Sequence, residues 1–325
     1  MPSSDDRMNI LVTGGAGFIG SHVVEALLDR GHEVTVVDNF NDYYHPAYKR
    51  QNLHPLLHNQ RLTLVEGDII DKDLLAAVFE KTTFDNVIHL AASVGVRNSL
   101  ERPDLYRKNN VGGTQNVLDA TGRYGAKHFL FASSSSVYGN ASPAPFREDR
   151  VVDSRLNPYA QSKKDAEALC RSYHDQHGIP VTIFRFFTVF GPRGRPDMSP
   201  YIFTKAVLEG RPIRIYGDGT AQRDFTYVDD IVSGILLGLE KPFPYEVFNL
   251  GSSVPIRILD VVDKIGALCK KMPKVEFYPR NDFEMHSTYA DISKAKRMLG
   301  YYPKTTVEEG LSLFIRWFQT VFSPL

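Results

Sequence analysis

Cysteine is scarce in this chain. Its 325 residues include two, Cys170 and Cys269. Both sit in helix-like patterns and lack metal-ligand spacing. That excludes a disulfide framework and a cysteine-based metal centre, and it leaves buried free thiols in a reducing compartment as the expectation. An excess of one charge is also lacking, because Lys plus Arg and Asp plus Glu both number 38. The balance gives no electrostatic case for nucleic acid or an anionic membrane as partner. No apolar run approaches the roughly 18 residues of a membrane-crossing helix. The start, Met1-Pro2-Ser3-Ser4-Asp5-Asp6-Arg7, has no apolar core of a signal peptide. Internal repeats and low-complexity segments are absent too. A cytoplasmic protein without metal, membrane or nucleic-acid partners is expected.

What is present begins with Thr13-Gly14-Gly15-Ala16-Gly17-Phe18-Ile19-Gly20. It follows the apolar run Ile10-Leu11-Val12 and leads into the helical pattern Ser21–Arg30. Glycines at 14, 17 and 20 permit a tight turn, a close approach to a pyrophosphate and close packing of helix on strand. The helix N-terminus offers free N–H groups to phosphate. A second apolar run, Val34-Thr35-Val36-Val37, ends at Asp38. A dinucleotide site needs an acceptor for ribose hydroxyls at about that distance, roughly 20 residues on.

Further apolar runs follow at Leu62–Val65, Val87–Leu90, Phe129–Ala132 and Val181–Phe187. Helical patterns alternate with them at Asp71–Glu80, Val111–Tyr124 and Tyr159–His177. This alternation predicts an α/β fold with a doubly wound parallel (Rossmann) sheet, whose ligands bind at the carboxyl ends of the strands. After residue 188 the texture changes: Gly191-Pro192-Arg193-Gly194-Arg195-Pro196 reads as a loop. Helical patterns follow at Ser199–Glu209, Tyr227–Leu239, Arg257–Lys271 and Val307–Phe318. The expected division is a dinucleotide-binding domain over 1–188 and a smaller C-terminal α/β substrate lobe over 189–325. A segment near 225–255, around Phe248-Asn249-Leu250, is expected to return to the first domain.

Tyr159-Ala160-Gln161-Ser162-Lys163 sets a phenol and an ammonium on one helix face. The ammonium stabilises phenolate, so the tyrosine can serve as a general base. Asn157-Pro158 marks the helix start. Upstream, Ser133-Ser134-Ser135-Ser136 ends a buried strand. Such a cluster is costly unless its hydroxyls bond to one another or to a ligand.

Together with Gly67-Asp68-Ile69, His89-Leu90-Ala91-Ala92, Arg185–Pro192, Arg223–Asp230 and Ala290-Asp291, these features resemble the extended short-chain dehydrogenase/reductase family along nearly the whole chain. The family acts on nucleotide-diphosphate sugars. The resemblance implies NAD as cofactor, with Gly14, Gly17, Phe18, Ile19 and Gly20 at its pyrophosphate. It implies Asp38 and Asn39 at the adenosine ribose, and Asp68 and Ile69 beside the adenine. Leu90, Ala91 and Ala92 would line the path to the nicotinamide, and Asn109 would reach the cofactor. Ser134 would pair with Tyr159 at the reacting hydroxyl, with Lys163 on the nicotinamide ribose. Arg223 would hold the substrate diphosphate, with Arg280 as a second candidate. Guanidinium suits bidentate phosphate contact. Relatives often have Gly-Asp soon after that second arginine, where this chain has Phe283-Glu284. A homodimer through the helices at Val111–Tyr124 and Tyr159–His177 is implied by the family alone.

Within the family, 4,6-dehydratases carry Asp-Glu where this chain has Ser135-Ser136, and decarboxylases carry Glu at the place of Ser136. Neutral-hexose 4-epimerases usually have Asn at the place of Thr188 and Lys near Val94. The tracts Arg185–Met198 and Asp38–Pro46, the latter followed by Lys49-Arg50, resemble the UDP-glucuronate 4-epimerases. Ser134, Ser135, Ser136 and Thr188 would then bind the sugar carboxylate. Arg195 would add positive charge nearby or contact the nucleotide. A UDP-glucose or UDP-N-acetylglucosamine 4-epimerase, a UDP-glucuronate decarboxylase and a non-catalytic NAD sensor on the same fold remain as alternatives.

Overall fold

A computed structural model describes residues 7–140, 142–150, 156–279 and 287–322. Its strands are β1 (Asn9–Thr13), β2 (Glu33–Asp38), β3 (Leu62–Glu66), β4 (Asn86–His89), β5 (His128–Ser134), β6 (Val181–Phe186), β7 (Thr188–Phe190), β8 (Pro212–Tyr216), β9 (Gln222–Tyr227), β10 (Tyr245–Leu250), β11 (Pro255–Arg257), β12 (Lys274–Tyr278) and β13 (Ser287–Thr288). The helices are α1 (Phe18–Asp29), α2 (Pro46–Leu53), α3 (Lys72–Lys81), α4 (Val96–Glu101), α5 (Pro103–Tyr106), α6 (Gly113–Tyr124), α7 (Pro158–His177), α8 (Ser199–Glu209), α9 (Val228–Glu240), α10 (Ile258–Cys269), α11 (Ser293–Leu299) and α12 (Val307–Phe322). One turn of π-helix, Arg107–Gly112, runs directly into α6.

The chain divides into two compact units. The first comprises residues 1–139, 155–185 and 232–248. Its centre is a seven-stranded sheet in the order β10-β6-β5-β4-β1-β2-β3. This is the doubly wound Rossmann sheet expected from the alternation of runs. Pairing is parallel from β3 through β2, β1 and β4 to β5. Strands covered on both faces need continuous apolar runs, and Leu11, Val37, Val87, Phe129 and Ile183 are all fully buried. Each such side chain contributes roughly 1.5–3 kcal/mol of hydrophobic stabilisation. The order reverses between β1 and β4, which makes that seam the switch point where a ligand crevice forms.

α7 starts and stops where its sequence says it should. The Asn157 side chain accepts from the Ala160 N–H at 2.9 Å, and Pro158 occupies the first turn. Gly178 closes the helix in the left-handed conformation. α1 starts at Phe18, three residues before the expected Ser21, because Gly17 itself serves as its N-cap.

The second unit comprises residues 140–154, 186–231 and 249–325. β9 is its hub: it pairs with β7 and β13 in parallel and with β11 antiparallel. A separate parallel pair joins β12 and β8. Asp224 on β9 is completely buried. Its carboxylate accepts from Ser252 N and Oγ, both at 2.7 Å, from Ser253 N and Ala290 N, both at 3.0 Å, and from the Thr226 hydroxyl at 3.0 Å. Five donors offset the cost of burying that charge. α12 turns Leu311, Phe314, Ile315 and Phe318 inward, and its Gly310 lets Phe190 approach closely. The cysteines correct one expectation: Cys170 is buried, but Cys269, at the end of α10, is half-buried.

Candidate active site

The glycine turn joins β1 to α1 at the switch point. Gly14 has φ +73°, and a Cβ there would lie 2.7 Å from the Ala91 nitrogen. A Cβ on Gly20 would lie 2.2 Å from the Gly14 oxygen. These two glycines serve close packing of backbone on backbone. Gly17 differs: a Cβ there would meet just the Gly14 oxygen, at 3.2 Å. No side chain caps α1 at this N-cap. A bare helix N-terminus behind an open glycine is the cradle a pyrophosphate requires, so the turn fits a dinucleotide.

Asp38 ends β2 and is buried. Its two oxygens accept from Ala16 N at 3.1 Å and Phe40 N at 2.9 Å, which ties it to the glycine turn. Each oxygen keeps a lone pair for a ribose hydroxyl. Asn39 donates to Asp68 at 2.9 Å, and buried Ile69 packs against Gly113. The structure thus gathers the residues expected at the adenosine end along the ends of β2 and β3. Lys49 of α2, named from sequence only within a tract of family resemblance, is buried with its ammonium 3.9 Å from Asp38. Burial lowers its pKa, opposed by the charges of Asp38 and Asp42.

At the end of β4, Leu90 N bonds Thr13 O and Ala91 N bonds the Thr13 hydroxyl. His89, buried behind them, touches Thr13 Oγ1 at 2.6 Å through Nδ1 and Thr114 Oγ1 at 3.0 Å through Nε2. Thr114 spends its proton on the Asn110 carbonyl at 2.6 Å, so His89 donates from Nε2 and accepts at Nδ1. Burial, aided by the charge of Lys163, pushes its pKa down to about 3, which keeps this neutral tautomer. Asn109 donates to the Ser93 hydroxyl at 2.9 Å, just beyond Ala92. Asn110 donates to Ser93 O and Ser162 Oγ, both at 2.9 Å, and Ser162 bonds the Tyr159 carbonyl at 2.8 Å. A chain of hydrogen bonds therefore runs from the glycine turn to the helix of Tyr159.

Tyr159 and Lys163 lie in the first two turns of α7. The Lys163 ammonium donates to the Ala132 carbonyl at 2.7 Å and lies 4.9 Å from the centre of the Phe131 ring. Its pKa falls to about 8, chiefly through burial, with the Glu167 carboxylate opposing. The Tyr159 ring meets Tyr106 edge-on, with centroids 6.2 Å apart. Ser134 ends β5; its hydroxyl caps the turn Ser135–Tyr138 by accepting from Ser136 N and donating to Ser136 Oγ, both at 3.2 Å. Ser133 points elsewhere and donates to buried Glu167. The hydroxyls of Ser133, Ser134 and Ser136 thus find partners within the protein, as their placement demands.

In the second unit, Thr188 opens β7, half-buried. Arg223 is on β9, next to the Asp224 hub, and donates to the Gln222 carbonyl at 2.7 Å. Arg195 is forked onto Asp197, with both bonds at 2.9 Å. Arg280 lies outside the described residues. Among the described residues no cluster of side chains suits a metal ion, and no helix is long and apolar enough to cross a membrane.

Known proteins resemble this chain in sequence and fold. The pattern of the NAD dependent epimerase/dehydratase family matches residues 10–251. A UDP-glucuronate 4-epimerase from Thermodesulfobacterium geofontis is 44% identical over 308 residues, 94% of this chain and 95% of that one. The crystal structure of a UDP-glucuronic acid 4-epimerase from Bacillus cereus, in complex with UDP-glucuronic acid and NAD, superposes with a TM-score of 0.91 at 37% identity. That match covers 97% of this chain and all of the other. A UDP-glucose 4-epimerase from Thermotoga maritima, solved with UDP-glucose, gives 0.90 at 32% identity over 97% of this chain and 100% of that one.

Proposed function

The chain belongs to the NAD dependent epimerase/dehydratase family, and from that premise we propose that it interconverts UDP-glucuronate and UDP-galacturonate by inversion at C4. The observation that carries this reading is the buried ammonium of Lys163 one helical turn from Tyr159, at a strand end that offers serine hydroxyls instead of carboxylates. A dehydratase needs acids in that place.

The glycine turn and Asp38 at the first unit's switch point would hold NAD, which would take the hydride from C4 and give it back in each cycle. Tyr159 as phenolate removes the proton from the sugar 4-hydroxyl, with Ser134 orienting that hydroxyl. Lys163 holds positive charge beside the phenolate and serves the nicotinamide ribose. Asp38, with no arginine directly after it, favours a free ribose 2′-hydroxyl over a phosphate. The 4-keto sugar turns over to present its other face, and Tyr159 gives its proton back to the 4-oxygen. Arg223 binds the diphosphate, with Arg280 and Arg195 as further cationic ligands. Ser134, Ser135, Ser136 and Thr188 hold the carboxylate. The protein works as a cytoplasmic homodimer, its buried Cys170 suited to a reducing compartment.

The test is a carbon-resolved NMR time course of UDP-glucuronate with the purified protein. UDP-galacturonate should accumulate to an equilibrium mixture without added reductant. Conversion of UDP-glucose or UDP-N-acetylglucosamine with none of UDP-glucuronate would reject the substrate, and release of CO₂ as the main outcome would make the protein a decarboxylase. Inertness toward every UDP-sugar, with NAD bound, would favour a sensor.

A further inference from the structure

Glu167 and Arg185 form a buried ion pair that the reaction above does not use. Glu167 sits on α7 one turn beyond Lys163, and Arg185 is on β6. The guanidinium grips the carboxylate through two bonds, Nε to Oε1 at 2.9 Å and a terminal nitrogen to Oε2 at 2.7 Å. Oε1 also accepts from the Ser133 hydroxyl at 2.5 Å. On its other side the guanidinium lies 4.9 Å from the centre of the Tyr138 ring, in the turn that Ser134 caps.

α7 is therefore fastened to β5 at two successive residues. Lys163 bonds the carbonyl of Ala132, and Glu167 takes the hydroxyl of Ser133. The next residue is Ser134. A buried ion pair is weak evidence for stability, because hydrophobic replacements of similar volume often serve as well. What it offers here is a fixed register between a helix and a strand end, in the planar geometry of a bidentate fork.

We propose that Glu167 and Arg185 are positioning residues for epimerisation: together they set the register of Tyr159 and Lys163 against Ser134 and cancel the charge that either alone would place beside Lys163. The proposal rests on Tyr159 being the base. The groups around the pair support the second half of it. His89 is held neutral behind Lys163, burial keeps the Cys170 thiol protonated, and burial likewise raises the Tyr245 phenol. Arg171, over the Tyr245 ring, is exposed and paired with Asp175. The charges left are Lys163, which feels Glu167, and Arg185, which is paired to Glu167.

The test titrates Tyr159 in the NAD-bound protein by ultraviolet tyrosinate absorbance, as a difference against Tyr159→Phe in each background. This needs no sugar, so it stands apart from the substrate assignment. Arg185→Met leaves an uncompensated carboxylate and should move the midpoint up by roughly one pH unit; Glu167→Gln leaves an uncompensated guanidinium and should move it down by roughly as much. The double variant should return to the wild-type midpoint. Shifts in the same direction, or none, would overturn the proposal, since a purely structural loss has no sign. If the single variants do not fold, the double variant and Arg185→Lys decide. Arg185→Lys keeps the charge and loses the fork, so its midpoint should stay put while kcat falls several-fold at unchanged KM. Full kcat in Arg185→Lys, or a displaced midpoint in the double variant, would overturn it.

Discussion

In the mechanism proposed above, Tyr159 and Lys163 divide one task between a base and the charge that keeps it a base. Tyr159→Phe retains the ring that meets Tyr106 and removes the proton acceptor. Folding and NAD retention should survive while turnover drops by ~10²–10⁴-fold; a variant that epimerises at the wild-type rate would move the base elsewhere. Because burial sets the Lys163 pKa at about 8, the cation beside Tyr159 is lost above that pH, and turnover should decline there. A rate that is flat to pH 10, roughly the ordinary lysine range, would contradict this. Thr188 poses a different problem. Oxidation at C4 of a glucuronate makes a β-keto acid, which loses CO₂ when the bond to its carboxylate carbon aligns with the carbonyl π system. Short hydroxyl donors can hold that carboxylate out of alignment. Thr188→Val keeps the shape and removes a donor, so the share of 4-keto-pentose by-product should rise relative to UDP-galacturonate. An unchanged product ratio in Thr188→Val combined with Ser136→Ala would remove these hydroxyls from that role.

The glycine turn shows what element-level reading can and cannot extract. Its spacing was legible because strand, turn and helix follow one another directly. Its division of labour was not, because Gly14 and Gly20 answer to Ala91 and to the turn's own backbone, whose positions depend on the fold. That division makes a prediction. Gly17 has φ −70°, which any residue adopts, and an added Cβ presses on the Gly14 oxygen alone, at 3.2 Å, so Gly17→Ala should cost about 1 kcal/mol or less. It should nonetheless weaken NAD binding to stripped protein at least tenfold. Gly20→Ala should instead lower the melting temperature sharply, as overpacking costs about 1–3 kcal/mol or more. NAD binding by Gly17→Ala at wild-type affinity would show that the phosphates approach elsewhere. The same logic explains the other gaps. Tyr159 and Lys163 share a helix face and could be paired by counting. His89 meets Thr13 and Thr114 from opposite directions along the chain, and Asp224 collects donors from residues 252, 253 and 290. Lys49 lay in a tract read for its resemblance, yet its burial against Asp38 follows from where α2 docks. Spacing reports neighbours on one element; it is silent about partners brought together by the sheet.

Over the whole molecule, the buried histidines His89 and His128 should weaken the fold in acid. His89 titrates at about 3 and His128 at about 4, both lowered mainly by burial, against about 6.5 in an unfolded chain. Between those values the unfolded state binds more protons, so stability is full above about pH 6.5 and is lost as pH falls. His89 alone should account for on the order of 3 kcal/mol by about pH 4. Thermal melts of wild type and His89→Gln across that window should converge toward low pH, and parallel curves would assign the acid loss to other groups. Assembly is testable at the same scale. A groove bordered by Arg107, Val111, Leu156, Ala168 and Leu169 lies along α7 and the π-turn. If two copies pair there, light scattering should report twice the chain mass, and Ala168→Arg should halve it; a wild type that is monomeric at micromolar concentration would refute the dimer. The order of segments has a further consequence, for synthesis. β10 closes the sheet beside β6 but leaves the ribosome some sixty residues after it. Until then β6 presents an unpaired edge, the kind of surface that captures other nascent chains. A fragment cut after residue 188 would keep that edge for good, and it should form inclusion bodies where the whole chain folds.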